Sequence, residues 1–85
     1  MYAINIKKSA LKALRSMPRK VAGRMLEELE RIAEDPPNYS GDWKKLMGSE
    51  YWRLRIGSYR AICDLRDDEL VLLVVKVGPR GDVYK

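Results

Sequence analysis

The sequence predicts an α+β domain whose helices pack on one face of a mostly antiparallel sheet. Three observations carry this reading. An alternating run opens the chain, an apolar stripe at helical spacing fills the rest of its first half, and alternating β segments flank Gly57-Ser58 in its second half. In Tyr2 to Ile6, Tyr2, Ile4 and Ile6 alternate with Ala3 and Asn5, the period-two pattern of a strand. Ser9 is a suitable N-cap for a short helix over Ala10 to Arg15, with Ala10, Leu11 and Leu14 on one stripe. Ser16-Met17-Pro18 predicts a second helix start, since a first helical turn tolerates proline. Val21, Met25, Leu29 and Ile32 then recur at helical spacing, and Glu27 to Arg31 is a favourable i,i+4 pair. Asp35-Pro36-Pro37-Asn38 ends that helix, and turn formers continue to Asp42.

The second half reads as β. Trp43 to Met47 is a candidate edge strand, protected from aggregation by Lys44 and Lys45. Tyr51 to Ile56 alternates, with Trp52, Leu54 and Ile56 on one face and Tyr51, Arg53 and Arg55 on the other. Gly57-Ser58 suits a two-residue type II′ turn, which makes Tyr59 to Arg66 the returning strand. The register follows: Ile56 opposes Tyr59, Arg55 opposes Arg60, Leu54 opposes Ala61 and Trp52 opposes Cys63. Leu70 to Val77 is apolar on both faces apart from Lys76, as expected of a central strand covered on both sides. Gly78-Pro79-Arg80-Gly81-Asp82 breaks it, leaving Val83-Tyr84-Lys85 as a short tail.

The 85 residues form one domain, residues 1–85, with no repeat, linker or low-complexity segment. Cys63 is the only cysteine and there is no histidine, so an internal disulfide and a cysteine-based zinc site are excluded. No metal or cofactor is expected. No apolar run is long enough to span a membrane, and the N-terminus lacks a signal-peptide pattern, so a reducing cytoplasm is the expected location. The chain carries 17 Lys and Arg against 12 Asp and Glu, a net charge of +5 that favours an anionic partner. Seven basic residues and no acidic one lie between Met1 and Arg24, among them Lys7, Lys8 and Lys12. Such a block adds salt-sensitive affinity for phosphates.

Chemistry narrows to arginine. Without histidine there is no ready base near neutral pH, and Cys63 shares a face with Trp52 and Leu65, where it packs rather than reacts. The acids Asp64, Asp67, Asp68 and Glu69 belong to a turn, and Gly78-Pro79-Arg80-Gly81 lacks the spacing of a phosphate-binding loop. Arg53 and Arg55 sit about 6.6 Å apart along one strand, and Arg60 faces Arg55 across the hairpin. Like charges placed so cost a few tenths to about 1 kcal/mol. With Arg80 arriving after the last strand, they form a clamp suited to phosphate, and a nucleic-acid backbone is the natural ligand. Tyr51 on the same face can stack a base. RNA cleavage also needs a group to take the 2′-OH proton, which arginine cannot do. A phenol set among cations can approach that role, so Tyr84 is the candidate base.

The residues Leu46-x-Gly48, Tyr51 to Ile56, Gly57-Ser58-Tyr59-Arg60, Val77-Gly78-Pro79-Arg80 and Val83-Tyr84, in this order of elements, resemble the RelE/ParE superfamily of type II toxins, most closely its RelE branch. That resemblance implies a ribosome-dependent endoribonuclease cutting messenger RNA in the decoding site by metal-free 2′-OH attack, and a small antitoxin as partner. It implies phosphate and leaving-group contacts for Arg60 and Arg80, and a base or stacking role for Tyr84. Arg53 and Arg55 stand where RelE-like toxins often carry lysines, which shifts base catalysis further onto Tyr84. The full expected set is Arg53, Arg55, Arg60, Arg80 and Tyr84 for catalysis, with Lys7, Lys8, Lys12, Lys44, Lys45 and Tyr51 for RNA binding. Two other readings compete: a ParE-like inhibitor of DNA gyrase that cuts no RNA, and an RNA-binding module without catalysis.

Overall fold

The computed structural model describes residues 1–79. In chain order it contains β1 (Ala3–Ile6), α1 (Lys8–Ser16), α2 (Arg19–Glu34), a 3-10 turn (Pro36–Asn38), β2 (Trp43–Lys45), β3 (Tyr51–Ile56), β4 (Tyr59–Arg66) and β5 (Val71–Pro79). The five strands form one sheet in the order β1-β5-β4-β3-β2. β2 to β5 are antiparallel, as expected of a meander, whereas β1 closes the far edge parallel to β5.

Both helices cover one face. The buried stripe of α2 is Met25, Leu29, Ile32 and Ala33, and that of α1 is Ala10 and Leu14. They meet Leu54, Ile56, Ala61, Cys63, Leu72, Val74 and Val77 from the sheet. The helix boundaries differ from expectation at their starts. α1 begins at Lys8 with Lys7 as cap, and Ser9 makes no capping bond. Pro18 is the residue before α2 rather than part of its first turn. Arg31 pairs with Glu28 at 3.5 Å instead of Glu27, and Glu28 also accepts the Tyr39 hydroxyl at 2.7 Å. That hydroxyl bond ties the loop before β2 to α2.

The hairpin register matches the predicted one at every pair, Arg55 opposite Arg60 included. Gly57 has φ +58, while Ser58 is not in the left-handed region, as a type II′ turn requires. β2 stops at Lys45 instead of Met47, because Leu46 to Ser49 form a turn in which the Leu46 N–H bonds the Tyr51 carbonyl.

The last strand departs most from its predicted form. It continues through Gly78-Pro79, where the sequence predicted a break. Among the described residues, β1 flanks β5 only as far as Val74, so beyond that point β5 has an edge that tolerates proline. Helices do not cover both of its sides either: Val71, Leu73 and Val75, on the face away from them, are only half-buried. A bulge lies between Val74, which pairs with Cys63, and Lys76, which pairs with Ile62, leaving Val75 as the extra residue. The bulge shifts the alternation by one. Val77 thereby joins the core, and Lys76 is turned to the helix-free face.

The β4–β5 connection carries a local strain. Leu70 has φ +54, which costs a non-glycine residue roughly 1–2 kcal/mol, and its side chain is exposed. Leu70→Gly is expected to raise stability by about 1 kcal/mol, read as a higher urea midpoint with unchanged slope. An equal or lower midpoint would contradict this account of the turn.

Candidate nucleic-acid interface

Strand alternation decides what the helix-free face presents. Paired residues share a face, so the register places Lys44, Arg53, Ile62 and Lys76 in one row across β2, β3, β4 and β5. The adjacent row holds Arg55, Arg60 and Gly78. Strands in such a sheet lie about 4.8 Å apart and successive same-face residues about 6.8 Å apart. Five cationic side chains therefore start from a patch of backbone about 14 Å by about 7 Å. Tyr51 lies on the same face one step further along β3 and is exposed, with Asp64 opposite it.

The cations are gathered but not equally open. Arg55 is exposed, its side chain at 48%, whereas Arg53 stands at 15% and Arg60 is buried at 3% relative exposure. The expectation of three guanidiniums facing water therefore holds for Arg55 alone. Among the described residues, the Arg60 Nη1 donates only to the Gly57 and Tyr59 carbonyls, each at 3.4 Å. Among the described residues, neither the Arg53 Nε nor the Arg60 Nε has a hydrogen-bond partner. A guanidinium so placed has desolvated donors still to be satisfied, and an anion is the ligand that satisfies them best.

Asp42, read from the sequence only as a turn former, is part of this arrangement. Its carbonyl accepts the Arg55 N–H at 3.0 Å, and its carboxylate accepts from the Arg53 Nη2 and lies 3.9 Å from the Arg55 Nε. The loop delivering it is pinned by Tyr39, whose ring packs so closely over Gly41 that an added Cβ would meet the hydroxyl at 2.1 Å. Lys76 is the other residue the sequence reading passed over. It was the one polar exception in an apolar run, and that exception was the available signal.

The remaining predicted residues separate. Lys45 alternates onto the face of Trp52, away from the arginines, where Trp43 and Trp52 stack with ring centres 5.1 Å apart. It borders a hollow of about 700 Å³ shared with Asp64, Asp67, Asp68 and Glu69. Those acids repel a polyanion. Asp67, Asp68 and Glu69 belong to the β4–β5 turn as expected, whereas Asp64 lies within β4, opposite Tyr51. Arg66 pairs with Asp64 at 3.0 Å and Glu69 at 3.4 Å, and Tyr2 donates to Asp67. Lys8 and Lys12 are exposed on α1, in the helical layer behind the sheet, and Lys7 sits where β1 ends, its N–H on the Val74 carbonyl. Arg80 and Tyr84 lie outside the described residues.

Cys63 is fully buried, and burial pushes its thiol up to about 12. A folded-state value above the unfolded one stabilises the fold below the unfolded pKa of 9.0, and that stability is lost as pH rises toward 12. Tyr39 acts in the same direction, its hydroxyl raised by burial and by its bond to Glu28. Stability is expected to decline from pH 9 upward, and Cys63→Ala to flatten the first part of that decline. Parallel alkaline unfolding curves for the two proteins would show that Cys63 does not carry it.

A family model described as the ParE toxin of a type II toxin–antitoxin system, parDE, matches residues 4–84. The chain belongs to the RelE/ParE superfamily of type II toxins. A relative from Methanocaldococcus jannaschii named RelE1 is 30% identical over 86 residues, spanning 99% of this chain and 96% of its own. RelE in the archaeal RelE–RelB complex from Pyrococcus horikoshii OT3 superposes with a TM-score of 0.80 at 32% identity, covering 96% of this chain and 98% of that one. The intact E. coli RelBE toxin–antitoxin complex contains a chain of the same fold, with a TM-score of 0.79 at 24% identity over 93% of this chain and 96% of that one. The protein is thus a RelE-like toxin, and its α+β fold is that of the family.

Proposed function

We propose that this toxin is a ribosome-dependent endoribonuclease that cuts messenger RNA in the decoding site, and that a cognate antitoxin restrains it. One observation carries the proposal: Arg53, Arg55 and Arg60 converge with Lys44 and Lys76 on adjacent rows of one sheet face. Attack of the 2′-OH on the adjacent phosphorus expels the 5′ oxygen, leaving a 2′,3′-cyclic phosphate and a 5′-OH. Charge grows on the non-bridging oxygens as the phosphorus becomes five-coordinate, and donors already fixed by the sheet stabilise it without reorganising. Arginine suits this role because it stays protonated and offers paired donors. The same property bars it from removing the 2′-OH proton, which we assign to Tyr84, while Arg80 assists the departing oxygen. Lys7, Lys8, Lys12 and Lys45 contribute long-range attraction for the ribosome and messenger, and Tyr51 a stacking surface. Location in the cytoplasm follows from a ribosomal target. The antitoxin reading draws on the RelE–RelB complexes of relatives, and an acidic partner would be drawn quickly to this face.

The test is to add the protein to programmed ribosomes and map the RNA ends. Cuts are expected within the occupied decoding site and not on free messenger. The ParE description of the matching family model favours a second reading, inhibition of DNA gyrase without RNA cleavage. Intact messenger with inhibited supercoiling would establish that reading instead; intact messenger with retained RNA binding would indicate a module without catalysis. Tyr84→Phe keeps the ring and removes the proton site, so cutting is expected to fall by about 100-fold or more. Unchanged cutting would make Tyr84 a stacking residue.

A further inference from the structure

We propose that Asp42 is an internal counter-anion: its carboxylate occupies the seat between Arg53 and Arg55 in the free protein and gives it up when a phosphodiester binds. The substrate class rests on the polyanion reading above, whereas the seat itself rests only on the geometry.

Asp42 brings its two carboxylate oxygens to two different guanidiniums, Oδ1 to the Arg53 Nη2 and Oδ2 toward the Arg55 Nε at 3.9 Å. Two oxygens of one anion bridging two guanidiniums is also the arrangement in which a phosphate presents its non-bridging oxygens. Three features separate a replaceable counter-ion from a structural ion pair. The first is access, since the Asp42 side chain is 45% exposed and that of Arg55 48%, so water and ligand both reach the carboxylate. The second is redundancy. Asp42 is already tied to β3 through its backbone carbonyl on the Arg55 N–H, and β2 continues the pairing from Trp43 opposite Leu54, so the edge does not need the carboxylate to hold it. The third is the charge balance. Among the described residues on these two rows, Arg53, Arg55, Arg60, Lys44 and Lys76 face no other acid in ion-pair contact.

The consequence is a threshold on binding. A lone phosphate must displace Asp42 before it meets both guanidiniums, so weak anions are held off. A polyanion that engages neighbouring cations at the same time gains enough to displace it. Asp42 is thus a specificity-determining residue that acts through Arg53 and Arg55, with no contact of its own to the reacting atoms.

The experiment compares the full-length protein with Asp42→Asn, Arg53→Gln and the double variant, using two probes. Inorganic phosphate is titrated while the arginine side-chain NMR signals are followed, and a single-stranded oligouridine is titrated at several salt concentrations. Asp42→Asn is expected to bind phosphate roughly three- to tenfold more tightly. It should also steepen the salt dependence of oligouridine binding by about 0.7 in the logarithmic slope, the amount expected for one more unit of positive charge. Measured against Arg53→Gln, the double variant should show no such gain, whereas a mere change in overall charge would give the same gain in both backgrounds. Asp42→Ser serves the same comparison if the asparagine variant does not fold. Phosphate affinity that is unchanged or reduced in Asp42→Asn would overturn the proposal, because Asp42 would then only position the arginines. The expected phosphate result without oligouridine binding by any variant would support the seat and remove the RNA reading.

Discussion

Arg60→Ala is expected to reduce messenger cleavage on programmed ribosomes by about 100- to 1000-fold, the usual loss when one preorganised charge-stabilising donor is removed. The same substitution should leave thermal stability unchanged or slightly higher. Arg60 is 3% exposed, its two contacts to carbonyls are long, and Arg55 stands directly across from it. Deleting a buried cation that has no carboxylate partner among the described residues relieves desolvation and cross-strand repulsion, while the small cavity costs packing, so the two effects oppose each other. Activity and stability should therefore separate at this position. Arg60→Lys is expected to restore little activity, because a point charge does not reproduce the planar pair of donors. Quantified RNA ends together with a thermal melt decide the matter: cutting at the parental rate in Arg60→Ala would remove Arg60 from the chemistry.

Leu29→Ala should have the largest effect on the fold. Leu29 is fully buried on α2 within the core between helices and sheet, and truncating such a leucine costs about 2–5 kcal/mol. A domain of this size has only about 5–15 kcal/mol of stability in total. At about 4–8 °C per kcal/mol, the melting temperature should fall by at least roughly 10 °C. The contrast with Leu26 on the same helix is informative, since Leu26 is 40% exposed and its truncation should cost well under half as much. Equal losses at the two positions would show that α2 does not bury the face described.

Turn chemistry explains why the hairpin was legible. A two-residue turn with glycine at the position of positive φ leaves one register available, and both strands carry their apolar residues on matching alternate positions. The pairing of Arg55 with Arg60 is therefore a local consequence of Gly57-Ser58. The stripe of α2 was legible for a similar reason, since Met25, Leu29 and Ile32 repeat at the helical period. Family membership could be read as well, because it rests on residue types in order along the chain.

β5 was misread for a physical reason. A run such as Val71 to Val75 has no polar residue to mark its phase, so neither face is distinguished until a neighbouring strand is present. The bulge opposite Ile62 and Cys63 makes that choice by pairing, and so sends Val77 inward and Lys76 out. The parallel β1 on the far edge is likewise a long-range contact without local signature.

Local rules acting over a few residues thus determined the hairpin, its arginine pair, the helical stripe and the α+β class. Tertiary structure alone decided which guanidinium meets water, that Lys76 joins the arginine face, and that Asp42 reaches across from the β2 edge to Arg53 and Arg55. Burial and ion pairing depend on what approaches a side chain from elsewhere in the chain, whereas alternation and turn geometry depend only on its neighbours.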